Sequence, residues 1–383
     1  MSETYTQDDR RLRPVPLARY PWTPLPPARA GDAIVQVSMI PTSSLSAPVK
    51  VFSAFEKGGR REESPCWSFL IEKGNQALLW DMGLRQDPEN APKQIVEGAL
   101  KEFIPHPGPG PITRLKERGY DVSKLKMIVF SHQHFDPHLN ADLLVYSLRS
   151  DEIDYGDLDT LPQPAPPIVL GPGSLESIGP GYPVDPNAAW PAKWIEKYTF
   201  IELPSRDTQG DWTDEIASLG NPSGGKRRWE KMACFDHAID WYGDGSLWFI
   251  DGPGHSPGHI MALCRVTAKP ETYILLGGDS SHHQALYLPV PTSESEDLRS
   301  PVPVVDGKPQ LAVDPELATY TIGQLTRMSR ENNVMVILAH EAQVDGVVDK
   351  FPESLNDWRS KGWKEKKEKE VTEAARKRGV PHF

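Results

Sequence analysis

Cysteine is scarce. The 383-residue chain has three, Cys66, Cys234 and Cys264, an odd number placed far apart. That excludes a disulfide framework and reads as reduced, mostly buried thiols. Long apolar runs are lacking as well, and no stretch approaches the roughly 20 residues of a membrane span. Met1 to Arg13 is polar and has no apolar core of the kind a secretion signal needs, so a cytoplasmic protein is expected. Positive charge is in deficit: 42 Lys and Arg against 53 Asp and Glu leave a net charge of −11. A nucleic-acid partner would need a basic surface, so none is expected. No repeat at a period of 20 to 50 residues is visible.

Proline, by contrast, is abundant at 38 residues and argues for long, stiff loops. Hydrophobic content of 38% and charged content of 25% are ordinary for a globular chain, and the length allows one large domain or two. Residues 1–32 form a proline-rich arm. Pro14, Pro16, Pro21, Pro24, Pro26 and Pro27 favour extended backbone. Tyr20 and Trp22 offer anchors onto the chain's own domain or onto the second subunit of a homodimer, while simple disorder fits the composition equally. Residues 33–383 read as the main domain.

The most informative stretch is Ser131-His132-Gln133-His134-Phe135-Asp136-Pro137-His138. It follows an apolar run, Met127 to Phe130, that reads as a short buried strand. His132 and His134 are two apart, a spacing that on extended chain points both rings to one side. Imidazole and carboxylate together suit zinc, iron or manganese. Further ligand-type residues come at the ends of later strands. Gly254-His255-Ser256-Pro257-Gly258-His259 follows Leu247 to Ile250, Asp279 follows Tyr273 to Leu276, and His340 follows Val334 to Leu338. Of the 11 histidines, six lie in these motifs, and His282 and His283 stand just after Asp279.

This ordered set resembles the metallo-β-lactamase superfamily, over roughly residue 33 to the end. The resemblance implies an α+β fold, an αββα sandwich of two mixed sheets with helices on the outer faces and the metals at the open edge between them. It implies two divalent ions, most simply zinc, with iron or manganese as alternatives. His132, His134 and His255 would hold the first; Asp136, a histidine and His340 would hold the second; and Asp279 would bridge them. Asp136 would also be catalytic. Asp81, in Leu79-Trp80-Asp81-Met82-Gly83, and His259 would support the ligands from behind. His282 and His283 could line the substrate pocket. The chain departs from the pattern at one place: Pro137 stands where the second-site histidine is usual. Proline has no ligand atom to offer. Asp136 before Pro137 is pushed toward extended backbone and Pro137 suits the first turn of a helix, so His138 is expected to reach back and replace the missing ligand.

Outside the ligands, Gly171-Pro172-Gly173, Gly243-Asp244-Gly245-Ser246 and Phe351-Pro352-Glu353-Ser354 resemble a fungal-type lactonase and lactamase group. The function this implies is hydrolysis of a small cyclic ester or cyclic amide by a hydroxide bridging the two metals. Two alternatives stay open. One is a thioesterase of the glyoxalase II type; the other is a non-catalytic protein that kept the fold and lost its second metal.

Other elements follow from pattern. Strands are expected at Ala33 to Met39, Val49 to Phe55, Trp67 to Glu72, Ala77 to Asp81, Lys197 to Leu203 and Cys234 to Trp241. Helices are expected at Gln94 to Ile104, Ile112 to Arg118, Pro137 to Leu148, Pro315 to Asn332 with Asp314 as its cap, and Leu355 to Arg378, whose charged half reads as a solvated face. Residues 205–232 read as a polar excursion. The proline-rich stretch 284–314 reads as a substrate lid over the metals or as a passive surface loop.

Overall fold

The computed structural model describes residues 4–25, 33–53, 59–97, 100, 103–133, 156–186, 188–208, 214–220, 227–289 and 302–377. The strands are β1 (Gln36–Pro48), β2 (Arg61–Lys73), β3 (Gln76–Trp80), β4 (Ile104–His106), β5 (Leu125–Val129), β6 (Ile168–Leu170), β7 (Phe200–Glu202), β8 (Glu230–Met232), β9 (Phe235–Asp240), β10 (Leu247–Asp251), β11 (Ile260–Ala268), β12 (Glu271–Leu276), β13 (Val304–Val305), β14 (Lys308–Pro309) and β15 (Val334–Ile337). They form a seven-stranded sheet in the order β4-β1-β2-β3-β5-β6-β7 and a six-stranded sheet in the order β15-β12-β11-β10-β9-β8. The described helices are α1 (Lys93–Glu97), α2 (Pro111–Glu117), α3 (Ser174–Ile178), α4 (Ala192–Lys197), α5 (Asp214–Gly220), α6 (Pro315–Ser329) and α7 (Trp363–Lys377).

Strict alternation builds the layers. Leu78 and Trp80 of β3, Met127 and Val129 of β5, Leu247 and Phe249 of β10, Ile274 and Leu276 of β12, and Met335 and Ile337 of β15 share one core between the sheets. The residues between them face outward. Leu79 and Ile128 join Ile112, Leu115 and Trp194 of the helices on one side. Trp248, Leu275 and Val336 join Ile322, Leu325, Met328 and Val371 on the other. A strand buried on both faces reads as a continuous apolar run, and here each run is split between two cores by its period of two. The result is four layers, helix, sheet, sheet and helix.

The pairings β3–β5, β5–β6, β6–β7 and β12–β15 are parallel. Parallel strands deliver their C-terminal ends to one edge, where open α/β sheets place their ligand sites. Asp81, His132, Gly171, Asp279 and His340 all lie just past such ends.

Three expectations need correction. The strand expected at Val49 to Phe55 is a 3₁₀ turn over Val49–Val51, because β1 runs on to Pro48 and the chain must turn there. The helix expected to reach Ile104 is helical over Lys93–Glu97, and Ile104 instead starts β4, where Pro105 has no amide to continue a helix. The terminal helix starts at Trp363, after turns over 355–362. The helix expected at Pro137 to Leu148 lies outside the described residues. Among the described residues no helix is long and apolar enough to cross a membrane.

The arm over residues 4–25 packs on its own chain. Leu17 and Tyr20 are buried in the outer core beside α6, and the Arg327 guanidinium lies 3.8 Å over the Trp22 ring.

Candidate metal centre

The edge between the two sheets is closed by short, specific contacts. Ile260 N–H donates to the Ser131 carbonyl at 2.6 Å, joining the start of β11 to the end of β5. Gly171 and Gly258 touch backbone to backbone, so that a Cβ on Gly171 would lie 1.9 Å from the Gly258 oxygen. Glycine is required there by contact rather than by conformation. Gly254 has φ 115, and a Cβ on it would meet the Ala318 nitrogen at 2.0 Å. Its turn is thereby pressed against the first residues of α6, which Asp314 caps by accepting from Leu317 N–H at 2.9 Å.

His132, His255 and Asp279 are all buried, and each offers a ligand atom within 4.8 Å of the others. His340 and His282 also face the carboxylate. The distances to Asp279 Oδ2 are 3.4 Å from His340 Nε2, 3.6 Å from His282 Nε2 and 3.8 Å from His132 Nε2. Neither Asp279 oxygen has a hydrogen-bond partner among the described residues, although the side chain is 1% exposed. A buried carboxylate without partners is costly. Two ligands at about 2.0–2.1 Å from a tetrahedral ion stand about 3.4 Å apart. The spacing around Asp279 is therefore that of groups that share a cation, and the residues fit a metal.

The far sides of the rings are tied down. His255 Nδ1–H donates to the Leu311 carbonyl at 3.0 Å, and His340 Nδ1–H to the Pro65 carbonyl at 3.0 Å. His132 Nδ1 pairs with Ser131 Oγ at 2.8 Å. Hydrogen bonds at Nδ1 of His255 and His340 leave Nε2 with its lone pair toward Asp279, the arrangement that orients and strengthens an imidazole ligand. Asp81, at φ 58, accepts from Ser131 N–H at 2.7 Å and so fixes the residue before His132. His259 Nε2 accepts from Asp279 N–H at 3.0 Å, which places this ring behind the carboxylate and occupies its lone pair.

Charge follows geometry. Burial, and then the nearby His255, push His259 down to about 3. Burial pushes His282 down to about 4 against the pull of Asp279. Both imidazoles are thus neutral at pH 7, as ligands and supports must be.

His134, Asp136 and His138 lie outside the described residues. His282 lies in the cleft beside His255 and Asp279. His283 does not share that place: its Nδ1 accepts from Ala285 N–H at 3.1 Å and caps the 3₁₀ turn Gln284–Leu286, and its ring faces Glu62. The structure gives His283 this capping role, beside the pocket role expected from sequence. Sequence reasoning missed the backbone carbonyls of Pro65 and Leu311, which carry no residue-type signal. It also missed Glu341. This buried acid accepts from Leu338 N–H at 3.1 Å and from Tyr287 OH at 3.1 Å, and pairs with Lys367 at 3.2 Å. Its place next to His340 was the available clue.

The cleft beside the carboxylate is walled by Val51, Phe52, Leu286, Val302, Leu311 and Ile322. Its polar lining residues are His255, Asp279, Ser280, His282 and Gln310.

No protein-family model matches the chain. Among curated proteins it is similar to a protein of Penicillium roqueforti named cytochrome P450 monooxygenase mpaDE, at 32% identity over 324 residues, which is 80% of this chain and 33% of that protein. The chain thus spans about a third of the length of that relative and of the two Penicillium brevicompactum proteins that follow it. It is 27% identical over 374 residues to the gamma-lactamase FDB1 of Fusarium pseudograminearum, covering 87% of this chain and 78% of that one. A solved structure of an N-acyl homoserine lactone hydrolase with its product at the catalytic metal centre superposes with a TM-score of 0.54, at 16% identity, over 84% of this chain and 99% of the other. Two sheets, outer helices and a histidine–aspartate cluster at the sheet edge agree with that likeness: the chain has the metallo-β-lactamase fold and is similar in sequence to these fungal proteins.

Proposed function

We propose that the chain is a dinuclear metal-dependent hydrolase that opens the ring of a small lactone or lactam. One observation carries the reading: a buried carboxylate, Asp279, whose two oxygens find no hydrogen bond among the described residues while imidazoles stand around it at metal-sharing distance. His132, His255, Asp279 and His340 would hold the ions, and His134, Asp136 and His138 would complete the set. Divalent metal at such a site polarises a carbonyl and makes water a nucleophile near neutral pH. Zinc suits the imidazole-rich donor set, with iron or manganese as the alternatives.

The chain's own groups supply the rest. Leu311 and Pro65 hold His255 and His340 in the tautomer that presents Nε2. His259 fixes the Asp279 backbone. The apolar wall beside Asp279 suits an uncharged substrate better than a charged one. A small cyclic substrate agrees with the gamma-lactamase names of the Fusarium pseudograminearum and Gibberella moniliformis relatives. A nucleic-acid substrate fits poorly with a net charge of −11.

The test is direct. Protein loaded separately with zinc, iron(II) or manganese(II) should carry two ions per chain. It should hydrolyse members of a lactone and lactam panel, and lose that activity on chelation. A panel inert toward both ring types while thioesters turn over would replace this reading with the glyoxalase-like one. Protein that binds no metal would end it.

A further inference from the structure

We propose that His282 is itself a metal ligand, adding its imidazole on the His255 side of Asp279; this rests on the metal-centre reading above. The argument starts in the backbone. After β12 the chain turns through Gly277-Gly278-Asp279, with Ser280 N–H donating to the Gly277 carbonyl at 3.1 Å. That turn brings residue 282 back toward the carboxylate three positions earlier. Ser281 Oγ donates to the His283 carbonyl at 3.1 Å, and His283 is held by its own capping bond. The two adjacent histidines are therefore sorted, His283 held by its capping bond and facing Glu62 and His282 facing Asp279.

The inward ring sits in a cleft with His255 and Asp279. Its Nε2 is 3.6 Å from Asp279 Oδ2, between the values for His340 and His132. Its centroid is 4.6 Å from that of His255, about as close as the 4.7 Å between His132 and His255. By these distances His282 stands in the same relation to Asp279 as the other imidazoles do. A ligand beyond the tetrahedral set raises the coordination number, which distinguishes this site from a closed four-coordinate zinc site.

The experiment compares wild-type protein with His282→Ala, His282→Gln and, as a distant imidazole control, His237→Ala. Metal affinity is read by competition with a chromogenic chelator, and coordination by the visible spectrum of the cobalt(II)-loaded protein. Loss of a merely supporting partner weakens metal affinity by about 10–100-fold; loss of His282 should weaken it at least tenfold. The cobalt bands should intensify as the coordination number falls, and the control should change neither readout. His282→Gln guards against a folding defect in the alanine variant, and the apo proteins should melt alike. An unchanged cobalt spectrum in both His282 variants would overturn the proposal whether or not affinity falls, since loss of a supporting partner also weakens affinity. Wild-type protein that takes up no metal would instead overturn the proposed function on which it depends.

Discussion

Lys367 shows how far the site reaches into the molecule at the scale of single residues. It lies on α7, is 2% exposed, and its ammonium meets Glu341 at 3.2 Å, Tyr287 OH at 3.0 Å and the Val336 carbonyl. Glu341 follows His340, and its backbone carbonyl accepts from Trp67 Nε1–H at 3.0 Å. The charge run of the terminal helix reads from sequence as a solvated face, yet Lys364 and Lys367 both turn inward. Lys364 donates to the Ser329 and Glu331 carbonyls at 2.6 and 2.8 Å, at the C-terminal end of α6, where a cation is favoured. Composition cannot reveal this, because a lysine pattern looks the same whether its partner is water or a buried acid. Removing one member of a buried pair leaves the other uncompensated, at about 3–5 kcal/mol. Lys367→Met should lose that much in denaturant unfolding and should weaken metal binding through the His340 turn. Adding Glu341→Gln should recover part of the stability. A single variant as stable as wild type would show the ammonium to be dispensable.

At the scale of elements, the arm and the β13–β14 hairpin form one device. Gln7 Nε2 donates to the Val302 carbonyl at 3.3 Å, Val304 N–H donates to Gln7 Oε1 at 2.8 Å, and Tyr5 N–H donates to the Gly307 carbonyl at 2.9 Å. The hairpin continues to Leu311, which holds His255 and lines the cleft with Val302. The sequence places a proline-rich overhang near Asp279; from that stretch Val302, Pro303, Gln310, Leu311 and Ala312 line the cleft, and residues 290–301 lie outside the described set. What the sequence does not show is that a glutamine near the other end of the chain secures that stretch, since a contact across 297 positions leaves no local pattern. Gln7→Ala removes two hydrogen bonds, worth about 1–3 kcal/mol together. In steady-state kinetics it should raise KM several-fold while kcat changes little. A wild-type KM would assign the hairpin's position to other contacts.

For the whole molecule, the layered fold is legible because period-two alternation and strand-end histidines survive in the sequence as pattern. Met127 and Val129 against Ile128 already state which residues face the inner core. The extent of β1 and the break before Ile104 depend on partner strands, which no window of sequence contains. The candidate ligands are divided between the sheets: His132 follows β5 of the seven-stranded sheet, while His255, Asp279 and His340 follow strands of the six-stranded one. Ions that bind the folded edge and not the unfolded chain add about 2.7 kcal/mol at a hundredfold excess over Kd. Chelation should therefore lower the melting temperature in calorimetry, and restoring zinc should reverse the shift. Equal melting of metal-loaded and stripped protein would show that the edge holds without ions.

All three cysteines are free and buried, so the chain carries no covalent bridge between its sheets. A metal held by His132 and Asp279 would act as one, closing a loop of 147 residues between two residues that are adjacent in space. For a cross-link across a loop of that size, the chain-entropy account gives about 5 kcal/mol from the restricted unfolded ensemble. Unlike a disulfide, this link is set by the free-metal concentration rather than by redox poise. A backbone cut at residues 205–208, between β7 and α5, would leave two pieces whose reassociation depends on the available ion.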